Sequence, residues 1–406
     1  MPSVTESHLK KIALLFVLLL PISLFIGSVL IEICLASVGL AFLARSFISK
    51  DFDWLNIAWV KVAIIFWVYM SLRSLFTPDW QLSLVAAALY FRFILFAIAV
   101  GYWVISTAKD KDRLFLTILI VALFISFNTL IQYIFATDLF GNSIDYEKYP
   151  RLVTPRGKLI VGMMLAMTLL PIVSRLFNNL TLKKSNAIKL LNASAILFFT
   201  FAIFISGERT PFIIYIIGVI LLIFFEPKLR RYLAHCAVIF CLLAAAVYLI
   251  KPQTLERQFS STYNEASNFS QSSYGASYKM AWGIFKNHPI FGVGTHNFRI
   301  ECQDTKTYGS KGCYLHAHNI YLETLAENGI VGFSLLISMI LLWFKDTYAN
   351  FHCIKNDPLI LGAFLLVALK LLPILSGPSI HTSWAFAPFW LCLGLCYTKI
   401  WQRQQK

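Results

Sequence analysis

The residues best suited to chemistry are two histidines, His316 and His318, in the stretch "YLHAHNIYLETLAENGIVGF" from Tyr314 to Phe333. Imidazole has an unperturbed pKa of about 6.5, so it exchanges protons near neutrality without help from its surroundings. A His-x-His pair is also a partial ligand set, but only two donors lie close in sequence, which is too few for a zinc site. Neither a metal nor a cofactor is expected. After His318, the residues Asn319, Glu323 and Glu327 repeat every four positions and form one polar stripe of a helix. Tyr321, Leu322 and Leu325 take another face. An amphipathic helix lying at a membrane interface has this pattern, and so does a catalytic helix. Spacing alone leaves both readings open.

The elements that must position these residues are membrane spans. Of 406 residues, 58% are hydrophobic and 14% charged, with a mean hydropathy of +0.70. A soluble domain carries roughly 25% charged residues. The excess apolar content lies in long runs separated by short charged stretches, which indicates many transmembrane helices. The run from Ile12 to Leu43 is long enough for a hairpin of two helices, broken at Pro21 and Gly27. It is too long for a signal-peptide core, so no cleaved leader is expected. Further spans read as 55–75, 82–105, 114–137, 158–176, 190–208, 210–226, 232–250, 329–345, 357–375 and 384–400. The expected fold is an all-α integral membrane protein with about twelve transmembrane helices. It divides into a bundle at 1–250, a long outside loop at 251–318 and C-terminal helices at 319–406.

Charge placement orients the chain. With the N-terminus inside, the inside loops hold 19 Lys and Arg residues, from Lys10 to Lys406, whereas the short outside loops hold 6. Short-loop positive charges resist translocation, so both termini are expected in the cytoplasm. The net charge of +15 is thereby accounted for without nucleic acid, since no Arg-rich stripe is interleaved with aromatics in a soluble segment. The polar segment 251–318 falls outside, in the periplasm of a Gram-negative cell, and is expected to contain amphipathic helices. It holds Cys302 and Cys313, which an oxidising compartment would allow to pair.

The stretch around His318 resembles the signature of the O-antigen ligase and O-antigen polymerase superfamily. That signature is a His, then Asn, Ser or Gln, nine residues, Gly, two residues, and a small residue or Tyr. Here it reads His318, Asn319, nine residues, Gly329, Ile330, Val331, Gly332. The resemblance implies transfer of a glycan from an undecaprenyl-diphosphate carrier to an acceptor hydroxyl outside the inner membrane. It implies His318 as the general base, with His316 as runner-up and Asn319 beside it. A diphosphate leaving group calls for arginine, whose planar fork binds phosphate oxygens in pairs and stays charged. Arg209, in the short outside turn "ISGERTPF", takes that role by resemblance; pairing with Glu208 is its structural alternative. Arg151 in "YEKYPRLVTPRGKLIVG" takes a second such role, with Arg156 as substitute. Family members often place another Arg in the amphipathic part of the loop. Here "SSYGASYKMAWGIFKNHP" has none, and Lys279 offers only a point charge.

Arg92 lies midway along an apolar span, where an ionised side chain is costly unless paired or functional. Glu32 is a candidate partner. Lys61 and Lys370 lie nearer span ends, and His381, in the last outside turn, is a lesser candidate for the same site. Ligase activity with lipid A-core as acceptor is favoured over polymerisation of another lipid-linked repeat unit, because the chain is compact and basic. A transporter or flippase would instead need essential charges at the bilayer midplane, such as Arg92, Lys61 and Lys370.

Overall fold

A bilayer interior offers no partner for backbone N–H and C=O groups, so a chain this apolar must satisfy them within helices. The computed structural model describes residues 4–303 and 313–404, and these residues form helices and no β-strand. Residues 304–312 of the long segment and Lys406 of the C-terminal basic group lie outside the described residues.

The first helices are α1 (Val4–Ile26), α2 (Ser28–Ser49), α3 (Ala58–Ser74), α4 (Trp80–Leu89) and α5 (Phe91–Ala99). Next come α6 (Ala108–Phe135), α7 (Val161–Thr181), α8 (Asn186–Ile205), α9 (Arg209–Phe225) and α10 (Arg230–Ile250). The polar segment contributes α11 (Ser261–Ser267) and α12 (Ser273–Asn287). The chain then closes with α13 (Ile320–Ala349), α14 (Pro358–Lys370) and α15 (Ser383–Gln404).

Among the described residues, seven helices are long and apolar enough to cross a membrane, or eight if the bent pair 234–250 and 253–267 is one span. The expectation of about twelve exceeds this in part because α3 and α9 have 17 residues each and α14 only 13. At 1.5 Å per residue, α14 is about 20 Å long, short of the roughly 30 Å hydrocarbon core. The predicted span 357–375 stops at Lys370, and the following turn folds back beside His318. The first hairpin breaks at Gly27 alone, whereas Pro21 lies inside α1.

Local sequence explains several boundaries. Thr107 and Asp110 form a reciprocal capping box at the start of α6, which satisfies two otherwise orphaned N–H groups. The Ser185 and Ser272 hydroxyls cap α8 and α12. The core lies where α7 packs on α8, α9 and α14, and where α15 packs on α5 and α14. The outward face is apolar, with Leu40, Phe224 and Leu249 left 66%, 72% and 83% exposed. Such a surface is stable against lipid, not water.

Cys302 and Cys313 are joined as a disulfide, with 4.9 Å between their Cα atoms and a sequence separation of 11. A closure of that size stabilises by about 2–3 kcal/mol through the unfolded state. Reductant is therefore expected to lower the Tm of the wild type and leave a Cys302→Ser variant unmoved, as read by thermal melting.

Candidate functional site

His318 is placed by an abrupt change of chain direction. It holds φ at +55°, a left-handed conformation that costs a non-glycine residue roughly 1–2 kcal/mol. Neighbouring contacts hold it there. Its carbonyl accepts from the Gly377 N–H at 2.7 Å, and the next residue, Asn319, caps α13. Asn319 Oδ1 accepts from the N–H groups of Tyr321 and Leu322 at 3.0 and 3.1 Å, while its Nδ2 donates to the Pro373 carbonyl at 2.7 Å. Asn319 therefore works as a capping residue that ties α13 to the turn after α14. On the other side, the Ser277 hydroxyl of α12 donates to the His316 carbonyl at 3.2 Å. The His318 ring lies 4.1 Å from the His316 ring centroid and 5.3 Å, edge to face, from that of Tyr274.

The polar stripe on α13 faces inward. Glu323 and Glu327 are each 2% exposed. Glu323 Oε2 accepts from the Ile380 N–H and Glu327 Oε1 from the Phe298 N–H, both at 3.4 Å. The two carboxylates thus clamp flanking loops, and this geometry is not that of a helix lying with its polar face in water. Gly329 serves the same docking. Its φ is +62°, and an added Cβ would sit 2.2 Å from the Ile290 carbonyl oxygen. The close approach allows Ile330 N–H to bond Pro289 O at 2.9 Å and Val293 N–H to bond Ala326 O at 3.0 Å.

The arginines come from two abutting turns. Ser206 to Arg209 turn sharply between α8 and α9, with Gly207 at φ +72°. A Cβ on Gly207 would lie 2.0 Å from the Pro150 carbonyl oxygen, so only glycine lets the two turns touch. The Leu152 N–H bonds Ser206 O at 3.0 Å across the contact. Arg151 and Arg209 are thereby brought to one place from residues 58 positions apart in the sequence.

Glu208 points back into the protein and accepts from the Gly162 N–H at 2.7 Å, with Arg151 Nη2 at 3.9 Å from its other oxygen. Burial pushes its carboxyl up to about 7, against the opposing pull of Arg151 and the Gly162 and Met163 N–H groups. Arg209 pairs with Glu265 of α11, not with the adjacent Glu208.

One cavity of about 380 Å³ collects these groups. His316, His318, Arg151, Arg209 and Arg257 line it together with Glu208, Glu265 and Tyr274, and Ile160, Met163, Ile213 and Trp384 add an apolar side. Arg257 escaped the sequence reading. It lies just beyond α10, upstream of the amphipathic stretch searched for a cation, and its Nε donates to the Gly207 carbonyl at 2.7 Å. The available signal was a guanidinium in the Ser- and Asn-rich start of the loop. Three guanidinium groups against two carboxylates suit a polyanion, and the neutral imidazole beside them suits proton abstraction.

Burial lowers the pKa of His318 below the usual 6.5. His316 is lowered further, to about 4, by burial and then by His318 and Arg299. The stronger base of the pair is His318. His316 Nε2 has no hydrogen-bond partner among the described residues.

The remaining candidates sit elsewhere. Lys279 is exposed on α12, outside the cavity lining. Arg156 Nη2 donates to the Ser28 hydroxyl at 3.4 Å. Arg92 pairs with Glu32 at 2.5 Å, as a bundle contact. His381 is half-buried and packs against His296 and Tyr90, with ring centroids 4.9 and 5.4 Å away. Lys61 is exposed, and Lys370 is buried over the Phe386 ring.

No curated protein matches this chain. A family model described as O-antigen ligase matches residues 193–337, the stretch that carries Arg209, Arg257, Glu265, Tyr274, His316 and His318. Members of this family are glycan-transferring enzymes, ligases and polymerases among them. The matched stretch, 145 of the 406 residues, supports the likeness to the O-antigen ligase superfamily read around His318.

Proposed function

We propose that the protein transfers a glycan from a polyprenyl-diphosphate carrier to an acceptor hydroxyl, without a metal, at the outer face of the bacterial inner membrane. His318 removes the acceptor proton as the hydroxyl oxygen attacks the anomeric carbon of the donor. The bond from that carbon to the diphosphate oxygen breaks, its electron pair leaves with the diphosphate, and the anomeric configuration inverts. Arg209, Arg151 and Arg257 take up the charge that develops on the leaving group. The apolar side of the cavity accommodates the first isoprene units of an undecaprenyl tail.

The observation carrying this reading is that one cavity joins the weakly basic, half-buried imidazole of His318 to three guanidinium groups. Lipid A-core is the preferred acceptor, which makes the protein an O-antigen ligase. Extension of another lipid-linked repeat unit is the alternative within the same chemistry. A transport path has less support, since Arg92 is neutralised by Glu32 outside the cavity.

Purified protein given undecaprenyl-diphosphate-linked glycan and lipid A-core is expected to form glycosylated core. Carrier-linked glycan that lengthens without core would select the polymerase instead, and no transfer to either acceptor would sink the reading. Arg257→Ala is expected to raise the donor KM about tenfold, as loss of one charge-assisted contact does. An unchanged KM and kcat would remove Arg257 from the diphosphate site.

A further inference from the structure

The two carboxylates in the cavity have no part in the reaction so far, and they are held differently. Glu208 is locked by the Gly162 N–H and Arg151. Glu265 stands on α11, and its partner is Arg209. Both side chains of that pair keep some solvent contact, 20% for Arg209 and 23% for Glu265. Arg257 precedes α11 on the same run of chain and is anchored to Gly207 O. Two of the three guanidinium groups in the cavity therefore face an internal carboxyl group, Arg151 at 3.9 Å from the locked Glu208 and Arg209 in direct contact with Glu265.

A diphosphate that takes Arg209 has to displace Glu265. The displaced carboxylate stays tethered near Arg209 and competes for it at high effective concentration. The reaction gives this competition a use. The donor diphosphate is esterified at both ends. Cleavage frees a terminal phosphate whose second ionisation falls near pH 6, so the product carries about one more negative charge than the donor. Three arginines bind that product more tightly than the donor, and release of a tightly held product limits many enzymes. We propose that Glu265 returns to Arg209 and releases the lipid diphosphate product, acting as an exchangeable counter-anion and not as a catalytic residue. The proposal rests on the reading that Arg209 holds the diphosphate.

The test uses the full-length protein with free undecaprenyl diphosphate as inhibitor, comparing wild type, Glu265→Gln and Arg209→Ala. Removing the competing charge from a half-buried pair is expected to lower the inhibition constant of Glu265→Gln about tenfold. Its donor KM and kcat are expected to fall together, because product leaves more slowly. Glu265→Asp keeps the charge and is expected to restore the wild-type constant; Glu265→Ala carries the same expectation as the glutamine should that variant fail to fold. An inhibition constant that is unchanged or weaker in Glu265→Gln overturns the proposal. Failure of the underlying reading looks different: wild type and Arg209→Ala would then be inhibited alike, or neither would be inhibited at all.

Discussion

Replacing His318 by alanine is expected to cut glycan transfer by about 10²–10⁴-fold, the usual worth of a general base. Binding of free lipid diphosphate should persist, because the arginines come from other turns. Alanine also removes a residue that holds φ at +55°, so part of its effect could arise from backbone strain. His318→Asn separates the two causes. Asparagine tolerates the left-handed region better than alanine but cannot serve as a base. An equal loss in both variants, with unchanged melting of the asparagine variant, is the expected result. Transfer retained within a few-fold in His318→Asn would remove the base assignment.

The same residue sets a pH dependence. A general base works in its neutral form, and burial holds His318 below 6.5. Its neutral form therefore predominates at pH 7 and above, and kcat/KM is expected to fall only as pH drops below 6.5. An acid limb centred above 7 would contradict this. Glu208, pushed up to about 7, ionises in the window just above, and Glu208→Gln shows whether it contributes. His316, lowered to about 4, stays neutral throughout, and its removal is expected to cost less than removal of His318.

The second large effect is expected from Gly329→Ala, through folding. The substitution meets two obstacles at once, the left-handed φ of +62° and the Ile290 carbonyl oxygen 2.2 Å from the new Cβ. Relief requires the 289–294 segment to lift off α13, breaking its bonds to Ala326 and Glu327 and those from Ile330 and Val331. A loss of more than about 2 kcal/mol follows, since strain and broken buried hydrogen bonds add. Thermal melting should show an early transition, with transfer lost in parallel. A variant that melts like wild type yet fails to transfer would give this glycine a direct part in the chemistry. The comparison assigns different work to the two ends of the signature: proton transfer to His318 and loop docking to Gly329.

How much was legible in the sequence varied with the range of the interaction. Membrane embedding and helical class follow from composition, because a bilayer admits few ways to satisfy the backbone of so apolar a chain. The break at Gly27, the cap at Asn319 and the period of Glu323 and Glu327 are local and could be read directly. The direction that stripe faces could not, since a four-residue repeat looks alike whether it meets water or two loops. Residues 357–375 look like a span by hydropathy, yet α14 stops after 13 residues.

By itself the sequence determined a helical membrane chain and singled out His318, Arg209 and Arg151. Only the tertiary structure decided that these three share a cavity with Arg257, and that Arg209 pairs with Glu265 rather than its neighbour Glu208. It also took Lys279, Arg92 and His381 out of that cavity. The physical reason is that guanidinium partners are chosen by side-chain direction and distance across turns. Contacts such as Gly207 against Pro150 set both, and they join segments that sequence spacing cannot bring together.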